Sequence, residues 1–154
     1  CDDILWSQKP FLPRLLREAR RSENKVSILT LRRVPRAQVS RFGVVAARQI
    51  GTRDGIYRIA GIVEKPEARE APSNLVILGA YILTPSIMSR LVKMDRRLQE
   101  GRVHDALPIT DAFTLELARG GKIFGLEFKG KYLDCGTIEN LKRADLFLKK
   151  ERDK

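Results

Sequence analysis

The sequence predicts an α/β protein in which strands and helices alternate around a mixed sheet. Segments with alternating apolar residues, typical of strands, are separated by segments with apolar residues three and four positions apart, typical of helices. A continuous apolar run at residues 75–83 indicates a strand that is covered on both faces. Because no repeat or linker interrupts the chain, we expect residues 1–154 to form a single domain.

The expected elements follow a simple order along the chain. Strands are predicted at residues 25–33, 43–47, 56–63, 75–83 and 122–128, with extended segments at 2–5 and 132–134. Helices are predicted at residues 10–21, from Pro85 onward, from Thr110 to the glycines at 120–121, and after Thr137. Thr84 and Thr137 are the expected N-caps, and Pro85 occupies a first helical position, where a proline loses no hydrogen bond.

The helical spacing also predicts which side chains point inward. These are Leu12, Leu15, Leu16 and Ala19 in the first helix, Ile87, Leu91, Met94 and Leu98 in the second, and Ile138, Leu141, Ala144 and Leu148 in the last.

The net charge of +11 raises the possibility of a nucleic-acid partner. The basic residues concentrate at 14–25, 32–41 and 142–154, and the first and last of these segments form the outer faces of predicted helices. The sequence contains no arginine-rich arm, zinc-finger spacing or aromatic–basic ribonucleoprotein motif. We therefore interpret the charge as a solvated basic face, and a basic nucleic-acid-binding domain is the alternative that salt-dependent binding of random DNA would reveal.

The composition also bears on location. No apolar run approaches the roughly 20 residues of a membrane-spanning helix. The acidic start at residues 1–3 lacks the basic residues with which a signal peptide begins. Two cysteines do not make a disulfide framework, so we expect a reducing, cytoplasmic environment.

An acid and a base stand side by side where one predicted strand ends. Glu64 and Lys65 follow the apolar strand, and Pro66 stops it. A carboxylate and an ammonium held together suit a ligand that carries both hydroxyls and a phosphate, such as a sugar phosphate. In isolation such a pair is more often a surface ion pair, so the surrounding motifs decide between the two interpretations.

Seven segments in a fixed order resemble the bacterial UTP–glucose-1-phosphate uridylyltransferases, within the wider sugar-nucleotide pyrophosphorylases. The segments are DDIL (2–5), VSRFGVV (39–45), VEKP (63–66), APSNL (71–75), GxYILTP (79–85), ITDA (109–112) and YLDCG (132–136). The resemblance extends from residue 2 to about residue 149. The APSN segment before the long strand is typical of the glucose-1-phosphate uridylyl branch.

The resemblance implies a Rossmann-like mixed sheet of the nucleotide-diphospho-sugar transferase type. This sheet would be incomplete at its N-terminus, because the family's glycine-rich phosphate loop is not in the sequence, and we expect the chain to be the second half of a larger protein. The implied reaction joins UTP and glucose 1-phosphate into UDP-glucose with release of pyrophosphate, in the presence of Mg²⁺. Since the attacking oxygen belongs to the sugar phosphate, the protein's task is positioning and charge stabilisation. A homo-oligomer is expected for the full-length protein.

The resemblance also assigns roles to particular residues. Asp2 and Asp134 match the two carboxylates that bind the metal, and Lys65 matches the lysine on the sugar's phosphate. Glu64 matches the carboxylate on the sugar hydroxyls, and Gly43 matches a glycine whose backbone approaches the sugar. Lys65 and Asp2 are therefore the expected catalytic residues, and Gly43, Glu64 and Lys65 the expected substrate-binding residues.

Three departures from the family pattern bear on substrate preference. They are the continuation TIE (137–139) after the DCG segment, the loop GRVHD (101–105), and Ala80 in place of a common basic residue. A thymidylyltransferase or another sugar-1-phosphate nucleotidyltransferase is therefore an alternative, and so is an inactive fragment that acts as a binding module. His104, the only histidine, is given no catalytic role, because this chemistry needs no general base.

Overall fold

The computed structural model of the protein describes residues 3–22, 25–51, 55–99 and 108–152. Within them the chain forms the elements β1 (Asp3–Trp6), α1 (Phe11–Arg21), β2 (Ser27–Arg33), a 3₁₀ helix (Arg36–Arg41), β3 (Gly43–Gln49), β4 (Ile56–Glu64), β5 (Leu75–Ile82), α2 (Pro85–Gln99), α3 (Ile109–Ala118), β6 (Ile123–Glu127), β7 (Lys131–Asp134) and α4 (Ile138–Arg152). The predicted strands and helices are all present with small shifts at their ends. The 3₁₀ helix was not predicted.

The strands divide into a barrel and a separate ladder. Strands β2 to β6 close into a barrel with the order β2–β5–β3–β4–β6. The β2–β6 pair is parallel, whereas the other described pairs in the barrel are antiparallel. Strands β1 and β7 form a two-stranded antiparallel ladder. The predicted mixed α/β architecture is confirmed, but its division into these two sheets was not foreseen.

Two irregularities help the barrel to curve. The β2–β5 register shifts between Leu29 and Thr30, and the β3–β4 register shifts between Ala46 and Ala47. Such bulges bend a strand and increase its twist, which brings the edges of a short sheet together.

The main core lies where α2 and α3 cover the barrel. Ile87 of α2 and Phe113 of α3 are fully buried against barrel residues such as Leu31 and Leu29. The apolar run at 75–83 is buried over its first four residues and partly exposed beyond them. The predicted coverage of both faces is therefore confirmed only for the first half of the run.

The inward faces of two helices were predicted too broadly. In α1, Leu15 and Ala19 are buried, but Leu12 and Leu16 are exposed. In α4, Ala144 is buried, whereas Ile138 is 76% exposed and Leu141 is also exposed. The reason is that α4 packs against the narrow two-stranded ladder, which covers a smaller arc of the helix than a sheet would. The side chain of Leu98 lies outside the part that the structure describes.

The two threonine caps behave differently. The Asn140 backbone N–H donates to the Thr137 hydroxyl at 3.2 Å, as predicted for an N-cap. The Thr84 hydroxyl instead shares a hydrogen bond with the Ser27 hydroxyl at 3.2 Å, which ties the start of α2 to β2. No described helix has the length and apolar character needed to cross a membrane.

Candidate active site

A cavity of about 440 Å³ opens where the start of β3 meets the end of β4. Three of the five predicted site residues, Gly43, Glu64 and Lys65, line it together. Its remaining lining residues are Asp3, Arg41, Phe42, Ile77, Gly79, Tyr81, Pro108, Ile109 and Thr110. Asp134 lies next to it on the β1–β7 ladder, opposite Asp3. The predicted site residue Asp2 lies outside the described residues.

Backbone pairing brings the glycine and the acid–base pair together. Gly43 is the register partner of Glu64 in the β3–β4 ladder. The next backbone N–H along the chain, that of Lys65, donates to the Phe42 carbonyl at 3.1 Å. Residues that are 21 positions apart in sequence therefore lie at one edge of the cavity.

Lys65 has an unusual backbone conformation. Its φ is +43°, the single positive φ among the described residues other than glycine. L-residues pay an energetic cost in this region, and such conformations cluster at functional sites. The Lys65 side chain is exposed, and no described side chain pairs with its ammonium group. This cation is therefore available to an anionic ligand.

The Glu64 carboxylate is held by a buried threonine. The Thr110 hydroxyl, at the start of α3, donates to Glu64 Oε2 at 2.9 Å, and Thr110 is only 6% exposed. The hydrogen bond fixes one oxygen of the carboxylate and leaves the other to accept hydrogen bonds from a ligand.

Gly43 leaves the room that this arrangement needs. A Cβ at position 43 would lie 3.0 Å from Thr110 Cγ2 and 3.1 Å from Glu64 Oε2. Both contacts are tighter than ordinary van der Waals packing, so a side chain would push the threonine and the carboxylate apart. The advantage of glycine here is space and not backbone conformation, since its φ is not positive.

Asp134 forms a second, partly exposed polar cluster. Its Oδ2 pairs with the Arg41 guanidinium at 2.9 Å, and its Oδ1 accepts the Gly136 backbone N–H at 2.9 Å. Opposite it, Asp3 Oδ1 accepts the Tyr132 hydroxyl at 2.8 Å. Like charges directly opposite each other on a ladder repel, so Asp3 and Asp134 together favour a cation between them.

The donor set of this cluster fits a hard divalent ion. Asp3 and Asp134 offer carboxylate oxygens, the ligands that Mg²⁺ prefers. Among the described residues no group of three or more histidine, cysteine or acidic side chains converges on one point. A pair of carboxylates still suffices, because Mg²⁺ commonly keeps its waters and takes phosphate oxygens as further ligands.

Two tyrosines near the carboxylates are held in the neutral form. Burial, with the nearby Asp3 and Glu64 charges, raises the pKa of Tyr81. Burial and the hydrogen bond to Asp3 raise the pKa of Tyr132. The cavity therefore contributes the neutral phenol of Tyr81, and a neighbouring groove contributes that of Tyr132.

A larger cavity lies elsewhere and has a different character. It measures about 700 Å³ and lies between the start of α1 and the β6–β7 turn. Among the residues that the structure describes, its lining contains lysines, arginines and the aromatic residues Trp6, Phe11 and Phe128, but no acidic residue. Because none of the four predicted site residues that the structure describes lines it, we place the candidate active site at the smaller cavity.

Sequence reasoning missed three residues of the site. Thr110 was noted only as part of the ITDA segment, and its contact with Glu64 spans 46 positions. Arg41 was counted among the basic residues, and Asp3 was passed over in favour of Asp2. The signals were present, since all three lie inside segments that carried the resemblance. His104 lies outside the described residues.

Comparison with known proteins defines the class. Residues 1–151 match the model of the nucleotidyl transferase family, and the chain belongs to that family.

Two similar curated proteins carry the name UTP–glucose-1-phosphate uridylyltransferase. The chain is 39% identical to the UTP–glucose-1-phosphate uridylyltransferase of Pseudomonas aeruginosa, over 80% of this chain and 41% of that protein. It is 37% identical to a putative UTP–glucose-1-phosphate uridylyltransferase of Methanocaldococcus jannaschii, over 82% of this chain and 42% of that protein. The resemblance to this group of enzymes is therefore confirmed. The chain spans less than half the length of these curated relatives.

Solved structures give the same result. The chain superimposes on an apo UDP-glucose pyrophosphorylase with a TM-score of 0.82 and 30% identity, covering 98% of this chain and 52% of that one. A UTP-bound enzyme from Acinetobacter baumannii matches with a TM-score of 0.76 and 25% identity, covering 96% and 48% of the two chains.

Proposed function

We propose that the protein is a nucleotidyltransferase that forms UDP-glucose and pyrophosphate from UTP and glucose 1-phosphate. The observation that carries the proposal is the cavity in which Glu64 and Lys65 stand together beside Gly43. Curated relatives named for this activity, and a solved pyrophosphorylase complexed with UDP-glucose, support it.

The two charged residues would bind different groups of the sugar phosphate. The Lys65 ammonium, which pairs with no described side chain, would bind the phosphate, whose oxygen attacks the α-phosphorus of UTP while pyrophosphate leaves. Glu64, fixed by Thr110 at 2.9 Å, would accept hydrogen bonds from the sugar hydroxyls. The protein then supplies alignment and charge stabilisation and no nucleophile of its own.

We further propose that Asp134 and Asp2 hold Mg²⁺. When bound, this ion would offset negative charge on the phosphates and act as a Lewis acid. Asp3, opposite Asp134 in the ladder, adds negative charge to the same cluster and is the alternative second ligand.

Several broader expectations belong to the same proposal. They are a Rossmann-like arrangement in the complete protein, a single domain for residues 1–154, a cytoplasmic location and a homo-oligomeric full-length enzyme. UTP and glucose 1-phosphate are the proposed partners.

The test is release of pyrophosphate from UTP and glucose 1-phosphate by the protein expressed from its complete gene. We expect Lys65→Ala to lower turnover by at least about 100-fold. Lys142→Ala, which removes an exposed lysine from α4, is the matched control and should leave turnover unchanged. Equal activity of the two variants would refute the assignment of Lys65.

Two further experiments test the alternative functions. Replacing UTP by dTTP separates a uridylyltransferase from a thymidylyltransferase, the activity named for a putative Bacillus anthracis enzyme that matches with a TM-score of 0.64. Residues 1–154 alone should produce no UDP-glucose, because the family's glycine-rich phosphate loop is not among them. Robust synthesis by these residues would place the nucleotide site elsewhere in the chain.

A further inference from the structure

Arg41 connects the two halves of the candidate active site. It is the last residue of the 3₁₀ helix and lines the cavity that contains Glu64 and Lys65. It also lines the neighbouring groove of about 460 Å³ that contains Asp134. Of the side chains in the cavity, Arg41 is the one that forms an ion pair with Asp134.

The ion pair engages the carboxylate that is proposed to bind the metal. Arg41 donates to Asp134 Oδ2 at 2.9 Å, while the Gly136 backbone N–H occupies Oδ1 at 2.9 Å. A guanidinium at this distance repels a divalent cation that approaches the same oxygen. Binding of a cation by Asp134 therefore requires Arg41 to withdraw.

Withdrawal is inexpensive for this side chain. Arg41 is 62% exposed and Asp134 is 28% exposed, and ion pairs with this much solvent contact contribute little to stability. The backbone after Arg41 leads directly to Phe42, whose carbonyl accepts the Lys65 N–H at 3.1 Å. A released guanidinium therefore stays at the edge of the cavity that Lys65 lines, and its planar fork suits a phosphate.

We propose that Arg41 is a positioning residue that exchanges between Asp134 and the phosphate of the sugar phosphate. Without a divalent ion it neutralises Asp134. When the ion is bound, Arg41 joins Lys65 in binding the phosphate. This inference rests on the proposed function, because it takes a sugar phosphate as the ligand. It couples the two binding events through one side chain.

The test measures binding of each ligand separately in the protein expressed from its complete gene. Mn²⁺ serves as the paramagnetic probe of the metal site, and calorimetry with glucose 1-phosphate in the presence of Mg²⁺ probes the sugar site. We expect Arg41→Ala to bind Mn²⁺ at least about threefold more tightly, because a competing cation is lost. The same variant should bind glucose 1-phosphate about tenfold more weakly, because a charge-assisted contact is lost.

Arg143→Ala is the matched control. Arg143 lines the same groove as Asp134 and has the same charge as Arg41. Its guanidinium, however, pairs with Glu139 at 2.6 Å. The Arg143→Ala substitution should leave both dissociation constants within about twofold of those of the unchanged protein, since exposed charges at a distance are screened by salt. Arg41→Lys keeps the charge without the planar fork, so its Mn²⁺ affinity should stay near that of the unchanged protein.

The outcomes separate the inference from the function on which it rests. Tighter Mn²⁺ binding together with weaker sugar-phosphate binding in Arg41→Ala supports the exchange. If Arg41→Ala matches Arg143→Ala in either measurement, the exchange is overturned. If the unchanged protein binds no glucose 1-phosphate, the proposed function fails as well, and that result is visible before any variant is made.

Discussion

The positive φ of Lys65 allows its contribution to folding to be separated from its contribution to function. At +43°, every side chain with a Cβ is strained, whereas glycine is not. Lys65→Ala and Lys65→Gly both remove the ammonium group, and both keep the backbone N–H that donates to the Phe42 carbonyl. The two variants therefore differ only in the strain and the conformational entropy of the backbone at position 65.

The expected difference follows from two opposing terms. Glycine relieves a left-handed penalty of about 1–2 kcal/mol for an L-residue. It also adds about 0.5–1 kcal/mol of entropy cost on folding. Lys65→Gly should thus be more stable than Lys65→Ala by roughly 0.5–1 kcal/mol, which corresponds to about 1–4 °C in Tm for a domain of this size.

The assay is urea unfolding followed by circular dichroism, with Lys142 as the comparison position. Lys142 lies inside α4, where glycine is about 1 kcal/mol less favourable than alanine. The order of the Gly and Ala variants should therefore be opposite at the two positions. If alanine is the more stable substitution at position 65 as well, the backbone there does not adopt a positive φ in solution. Both Lys65 variants should still lose at least about 100-fold in turnover.

Three further predictions concern the site. Thr110→Val should raise KM for glucose 1-phosphate roughly 30-fold, because a hydrogen bond to a charged group such as Glu64 contributes about 2 kcal/mol. Thr110→Ser keeps the hydroxyl and should keep KM near that of the unchanged protein. Equal KM values for the two variants would contradict this role of the hydroxyl. Asp134→Asn should abolish Mn²⁺ binding. Comparison of Asp2→Asn with Asp3→Asn identifies the second metal ligand, and the proposal requires the Asp2 variant to lose more Mn²⁺ affinity. All three tyrosines have raised pKa values in the folded state. The unfolded chain therefore loses phenol protons first, and stability should fall as the pH rises above about 10. Absorbance at 295 nm should show tyrosinate forming later in the folded protein than in urea, and identical titrations would contradict this.

The strands and helices were predictable because their signals are local. The cap at Thr137, the proline at the start of α2 and the apolar run at 75–83 each specify an element within a few residues. The closure of the barrel was not predictable, since it depends on the parallel pairing of β2 with β6 across almost a hundred residues. No local pattern identifies the partner of a strand.

The residues of the candidate site follow the same distinction between local signals and distant partners. Glu64 and Lys65 are adjacent in sequence, and Gly43 belongs to a recognisable segment, so these residues were identified early. Thr110 and Arg41 act through partners 46 and 93 positions away, which a sequence does not reveal. The backbone conformation of Lys65 is equally hidden, because lysine carries no preference for a positive φ.

The balance of charge connects these observations. Among the described residues, the cavity lining and Asp134 contribute three carboxylates, on Asp3, Glu64 and Asp134, and two cations, on Arg41 and Lys65, whereas Lys131 lies at the far end of the ladder. An anionic sugar phosphate meets a site that is negative overall, and one of the two cations is already paired with Asp134. A divalent ion held by Asp134 would reverse the sign and release Arg41 in the same event. The proposed requirement for Mg²⁺ then follows from charge neutralisation at the sugar phosphate as well as from the chemistry of the nucleotide.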